Sequence, residues 1–200
     1  MTRSAAAGHE PPSMRPFFVI WSGQALSLLG SQLVQFALVW WLTKATGSAT
    51  VLALASLAAL LPQILIGPVA GALVDRWSRR AIMIVADAAI ALATLILAGL
   101  FWLNLAEVWQ IYALLMLRAT GAAFHWPAMQ ASTTLLVPEK QLSRVAGLNQ
   151  TLAGVAGIVI PPLGALAMDV LPMQGILAID VATAIPAIVA LLLIAIPQPA

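Results

Sequence analysis

Gly67-Pro68-Val69-Ala70-Gly71-Ala72-Leu73-Val74-Asp75 reads as a near duplicate of Pro161-Pro162-Leu163-Gly164-Ala165-Leu166-Ala167-Met168-Asp169, which begins 94 positions later. Each copy carries proline near its start and ends on aspartate after an apolar stretch. A shift of one residue less lays Ala86-Asp87 over Ile179-Asp180, and the shift of 94 brings Gln24 onto Arg118. Working outward, the chain divides into apolar runs at about 17–43, 51–74, 81–105, 108–136, 147–170 and 175–196. The second run then corresponds to the fifth and the third to the sixth, so one repeat holds three runs. Chance recurrence among Ala, Leu and Gly is the alternative reading.

The solvent of these runs follows from composition. Of 200 residues, 62% are hydrophobic and 8% charged, where soluble domains carry about a quarter charged residues. At about 1.5 Å per residue each run is long enough to cross a hydrocarbon layer of about 30 Å. Backbone polar groups in lipid need partners within their own segment, and the runs are continuous rather than alternating, so an all-α membrane fold of six transmembrane helices is expected. Because three is odd, the second repeat enters the membrane from the opposite side, giving 3+3 inverted repeats, an arrangement found in secondary transporters.

Lysine and arginine mark the sides. Arg3 and Arg15, then Arg76, Arg79 and Arg80, then Lys140 and Arg144 fall at one end of the expected bundle, against Lys44 alone at the other. This bias predicts that both termini are cytoplasmic, with Trp40, Trp41, Trp102, Trp109 and Tyr112 in an outer aromatic belt. Residues 1–16 form a polar tail, 17–196 the membrane domain, and 197–200 the start of a linker. The first run is too long for a cleaved signal and is read as a retained helix. The absence of cysteine excludes disulfides, thiol nucleophiles and thiolate metal sites. A formal charge of +2 gives no reason to expect nucleic acid.

Chemistry is confined to few positions. Gln24, Ser27, Ser31 and Gln35 fall within about 80° of one another on a helical wheel. Such a stripe faces a cavity or other helices, because unpaired amides and hydroxyls are costly against lipid. Cavity lining and plain interhelical hydrogen bonding both remain open for it. Arg118 lies near the middle of the fourth run, where a charge costs at least about 2.5–3.5 kcal/mol unless it finds a partner or water. Asp87 and Asp180 are the other charges within runs and are its candidate counter-ions, proton sites or structural anchors. His125, further along the fourth run, is expected to be a packed residue.

Two membrane aspartates raise an enzymatic alternative, an intramembrane aspartyl protease, whose carboxylates must approach about 3 Å. Inverted topology separates Asp87 and Asp180 by about 13 Å in depth and argues against it. Gly-x-Gly-Asp, His-Glu-x-x-His and glycine-rich phosphate loops are all missing from the sequence. No enzyme activity, catalytic residue, metal site or cofactor is expected.

Gly71-Ala72-Leu73-Val74-Asp75-Arg76-Trp77-Ser78-Arg79-Arg80 resembles the loop signature of major facilitator transporters, G-x-L-x-D-R-x-G-R-[KR], with Ser78 in place of the later glycine. Gly147, Pro161 and Gly164 fit the spacing of an exporter-associated fifth-helix pattern, while Ala156, Ile160 and Ala165 replace its glycines. Leu117-Arg118-Ala119-Thr120-Gly121-Ala122-Ala123-Phe124-His125-Trp126-Pro127-Ala128 and Leu136-Val137-Pro138-Glu139-Lys140-Gln141-Leu142 resemble the macrolide-efflux, drug:proton antiporter branch of that superfamily.

The resemblance runs from Phe17 onward and implies the amino-terminal half of a twelve-helix exporter in the cell membrane. It further implies hydrophobic drug-like substrates, alternating access, protons as coupling ion and a carboxy-terminal six-helix half as partner. Gly71, Asp75, Arg76, Arg79 and Arg80 are then the gating loop that latches the halves. Arg118 stands where the family's fourth-helix arginine stands, its next glycine three residues on instead of four, and takes a coupling role with Asp87 and Asp180. Pro161, Gly164 and Gly147 serve to bend helix five. The competing expectation is a non-transporting scaffold or degenerate half-transporter that assembles with a partner.

Overall fold

The computed structural model describes residues 14–196; Arg3 and the linker residues 197–200 lie outside them. Six helices follow one another: α1 (Arg15–Thr46), α2 (Ala49–Val74), α3 (Arg79–Trp102), α4 (Val108–Leu136), α5 (Glu139–Val170) and α6 (Met173–Leu193). Five are long and apolar enough to cross a membrane; the exception is α4, which carries Arg118 and His125 among its 29 residues. No strand occurs among the described residues. The protein is a multi-pass all-α membrane bundle.

The boundaries have local causes. α1 ends at Gly47, which adopts a left-handed φ of 60° and returns its N–H to the Thr43 carbonyl, a conformation glycine takes without steric cost. Ser48 and Ser78 cap α2 and α3, their hydroxyls accepting from the N–H of Val51 and Ala81. Ser78 replaces the family's loop glycine and satisfies an amide that a glycine side chain cannot reach. Glu107 and Gln110 form a reciprocal capping box at the start of α4. Most helix ends differ slightly from the expected runs, and α5 starts well before its run, at Glu139; with α3 starting at Arg79, Arg79, Arg80, Lys140 and Arg144 are helical rather than in loops. Pro138 cannot continue α4 and starts a new helix at once, leaving a two-residue connection.

Packing follows the duplication. α2 lies against α4, as its repeat mate α5 lies against α1; α1 lies against α6, as α4 lies against α3; α3 and α6, which exchange under the repeat, pack on each other. That reciprocity is what two inverted triplets related by a pseudo-two-fold require.

The largest core cluster lies toward the α1–α2 and α3–α4 turns, with Leu38, Leu42, Ile111, Leu115, Ile176 and Leu177. A smaller one, with Ile20, Val74, Met83 and Leu191, lies toward the arginine-bearing end. α2 and α5 are the least covered helices, burying five and four residues respectively. They leave Ile64, Leu65, Ile158 and Leu166 open.

Candidate functional site

α1 meets α6 through glycine. A Cβ on Gly23 would stand 3.0 Å from the Ala187 Cα, and one on Gly30 would stand 2.1 Å from the Thr183 hydroxyl and 3.3 Å from the Asp180 Cα. Small residues that let backbones approach closely are a main source of helix association in lipid, where burial of apolar surface gives little drive. That approach brings Ser31, next to Gly30, within 2.9 Å of Asp180 Oδ1.

Asp180 is the centre of a closed cluster. Arg118 Nη1 donates to Asp180 Oδ2 at 2.6 Å. Thr94 donates to the same oxygen at 3.2 Å while accepting from Arg118 Nη1 at 3.2 Å. The Arg118 and Asp180 side chains are 7% and 3% exposed. Both carboxylate oxygens are engaged, and four helices (α1, α3, α4 and α6) contribute one side chain each.

Asp87 is the centre of a second, looser cluster. Gln24 Nε2 donates to Asp87 Oδ2 at 3.0 Å. His125 Nε2 lies 3.4 Å from Asp87 Oδ1, outside hydrogen-bonding geometry, and is a buried nitrogen with no other partner. Among the described residues no guanidinium or ammonium is bonded to this carboxylate.

The two clusters are levels of one structure. Gln24 and Ser31, Asp87 and Thr94, and Arg118 and His125 are each seven residues apart, two helical turns or about 10 Å. The repeat relates the levels to each other: a shift of 94 takes Gln24 to Arg118 and Ser31 to His125, and a shift of 93 takes Asp87 to Asp180. In each level an aspartate from the third helix of one repeat lies beside side chains from the first helix of both.

Beside them opens a cavity of about 570 Å³, walled by α1, α2, α3, α4 and α5. All four stripe residues, Gln24, Ser27, Ser31 and Gln35, line it, together with Gln63 of α2 and Asn149 of α5. The ionisable residues of its lining are Asp87, Arg118 and His125; Asp180 is behind them. Asn149 also accepts from the Trp21 indole at 2.7 Å, tying α5 to α1 beside the cavity.

The arginine loop does two things. Asp75 and Arg76 are exposed. Arg79 donates to the Ala131 carbonyl of α4, and Arg80 donates to the Leu191 and Leu192 carbonyls, satisfying the otherwise unpaired carboxyl end of α6. Gly71 permits no close approach within the described residues, since nothing lies within 4 Å of where its Cβ would be, and the same holds for Gly147. Gly164 is different: a Cβ there would stand 2.4 Å from the Phe36 ring of α1. α5 runs unbroken through Pro161 and Pro162.

The structure brings the stripe, Arg118 and Asp87 to one cavity, with Asp180 bonded to Arg118, and places His125, expected to be a packed residue, half-buried at the cavity wall. Sequence reading overlooks Thr94, Gly23 and Gly30. The signal for His125 is the offset of 94 already used for Gln24 and Arg118, applied to Ser31.

Residues 20–200 match the Major Facilitator Superfamily family model, and the chain belongs to that family of transporters. It is 43% identical over 182 residues to macrolide efflux protein A of Streptococcus pyogenes, covering 91% of this chain and 45% of that protein. A macrolide efflux protein A of Enterococcus faecalis is also 43% identical, over 76% of this chain and 47% of its own length. The multidrug efflux pump Tap of Mycobacterium tuberculosis is 29% identical over 76% of this chain and 37% of its own. The chain spans about half the length of the macrolide efflux relatives it matches.

Proposed function

We propose that this six-helix unit forms one wall of the substrate pathway of a secondary exporter, which moves hydrophobic, macrolide-like compounds outward by alternating access with protons as the coupling ion. The observation that carries this reading is the cavity itself: an otherwise apolar bundle turns amides, hydroxyls and three ionisable side chains from opposed helices toward one open space. Transport, not hydrolysis, suits that arrangement, because the two aspartates are held in separate clusters by separate partners. The names of the relatives support the substrate class.

In this proposal Arg118, Asp87 and Asp180 form the coupling centre, and Gln24, Ser27, Ser31 and Gln35 line the route. The little-covered α2 and α5 offer surface to a second six-helix half. Arg79 and Arg80 anchor the loop while Asp75 and Arg76 remain free to engage that half as a gate; Pro161, Gly164 and Gly147 give helix five its bend. The protein sits in the cell membrane with the arginine-bearing end in the cytoplasm, as the positive-inside bias requires.

The test is accumulation of a radiolabelled macrolide by inverted membrane vesicles containing the full-length protein. Uptake that needs an imposed proton gradient and disappears with Arg118→Ala is expected. Uptake no greater than in vesicles lacking the protein would defeat the exporter reading in favour of a scaffold.

A further inference from the structure

The two aspartate clusters differ in a way that divides labour between them. Both oxygens of Asp180 already accept hydrogen bonds: Oδ1 from Ser31, and Oδ2 from Arg118 and Thr94. A proton arriving there leaves the buried Arg118 guanidinium without its counter-charge, which is costly. Among the described residues Asp87 Oδ1 accepts no hydrogen bond and lies 3.4 Å from Nε2 of His125, a nitrogen that also lacks a hydrogen-bond partner. The His125 side chain is 19% exposed and lines the cavity with Asp87, so this pair alone combines a route to the substrate space with an unfilled hydrogen-bonding position.

We infer that His125 and Asp87 together hold the transported proton, as a dyad, while Arg118–Asp180 is a fixed pair that carries no proton during the cycle. This rests on the exporter reading. In the loaded form Nε2 of His125 bears the proton and donates to Asp87 Oδ1, so the imidazolium and carboxylate sum to zero charge. On release the proton leaves from Nε2 to the side the cavity then faces, and the dyad carries one negative charge. No other bond changes, and the proton belongs to the pair rather than to one residue.

The surroundings permit that exchange. Around the cavity that the dyad lines, α1 presents the neutral amide of Gln24, α2 Gln63 and Ser56, and α5 Asn149, while Asp180 of α6 is paired with Arg118. The only other ionisable group lining the cavity is Arg118, two turns away on α4 and committed to Asp180. Gln24, by donating to Oδ2, holds the carboxylate in place without neutralising it. It is a positioning residue.

The decisive measurement uses the full-length protein in proteoliposomes and compares two readouts with a radiolabelled macrolide: uptake driven by a proton gradient, and exchange with no gradient, which requires no net proton movement. His125→Gln and Asp87→Asn are expected to lose gradient-driven uptake while exchange persists, and Asp87→Glu to recover part of the driven uptake. In detergent, macrolide addition should release protons to a pH-indicating dye from the unaltered protein and from neither His125→Gln nor Asp87→Asn. Should His125→Gln collapse the fold, seen as lost exchange and aggregation, His125→Asn takes its place in both assays. Driven uptake and proton release that survive in a folded His125 variant would overturn the dyad. Absence of both uptake and exchange in the unaltered protein would instead remove the exporter reading beneath it.

Discussion

The level around Asp180 and the level around Asp87 are built from equivalent positions of the two repeats, yet one is closed and the other open. The difference comes down to three exchanges across the duplication: arginine at 118 where its mate at 24 is glutamine, serine at 31 where its mate at 125 is histidine, and threonine at 94 where its mate at 187 is alanine. Arginine brings a permanent charge and planar donors that fix a carboxylate. Glutamine brings only a neutral amide, so the second carboxylate is held without a partner charge. A duplicated scaffold thus yields an anchor and an exchangeable site from the same backbone geometry, with side-chain identity alone deciding which is which.

Substitutions can break that contrast in graded steps. The largest effect is expected from Asp180→Asn, which leaves the Arg118 guanidinium buried without a counter-charge; unfolding in detergent micelles should show a loss of about 3–5 kcal/mol. Next is Gly30→Val. Its side chain must enter space now filled by Thr183 and the Asp180 backbone, which should cost about 1–3 kcal/mol in the same assay and loosen the Ser31 bond to Asp180. Asp87→Asn should cost only about 1 kcal/mol, since the amide keeps a bond to Gln24; a loss as large as that of Asp180→Asn would erase the distinction between the levels.

Gln24→Arg sharpens the comparison by converting the open level into a copy of the closed one. It should hold or raise the unfolding midpoint while stopping gradient-driven transport, and transport at the unaltered rate would show that the charge state of Asp87 is irrelevant. The smallest effect is expected for Thr94→Val, which removes one neutral donor from Asp180 and should cost about 1 kcal/mol or less.

Much of this arrangement is legible in the sequence because the membrane simplifies the problem. Long apolar runs have one available secondary structure in lipid, so helix number and order follow from composition, and rare charges within the runs stand out. The 94-residue offset also pairs the helices correctly before any contact is known. What the sequence does not show is which polar residues bond to which. Arg118 had two candidate counter-ions, and nothing in the spacing chooses Asp180 over Asp87; the choice depends on how closely α6 approaches α1, which Gly23 and Gly30 set. Ser78 illustrates the same limit on a smaller scale, since a departure from a loop signature acquires a reason only once its hydroxyl is seen capping α3.

The glycine seam between α1 and α6 has a mechanical consequence. At Gly23 the facing atoms are the main chain of Pro186 and Ala187, whereas at Gly121, between α4 and α3, the facing atoms are the tip of the Ile90 side chain. Main chain pressed on main chain has no torsion to relax, while an isoleucine tip can swing aside. The first seam therefore behaves as a weld and the second as a cushioned joint, so the two equivalent junctions between the triplets should differ in compliance, with α4 the helix freer to tilt.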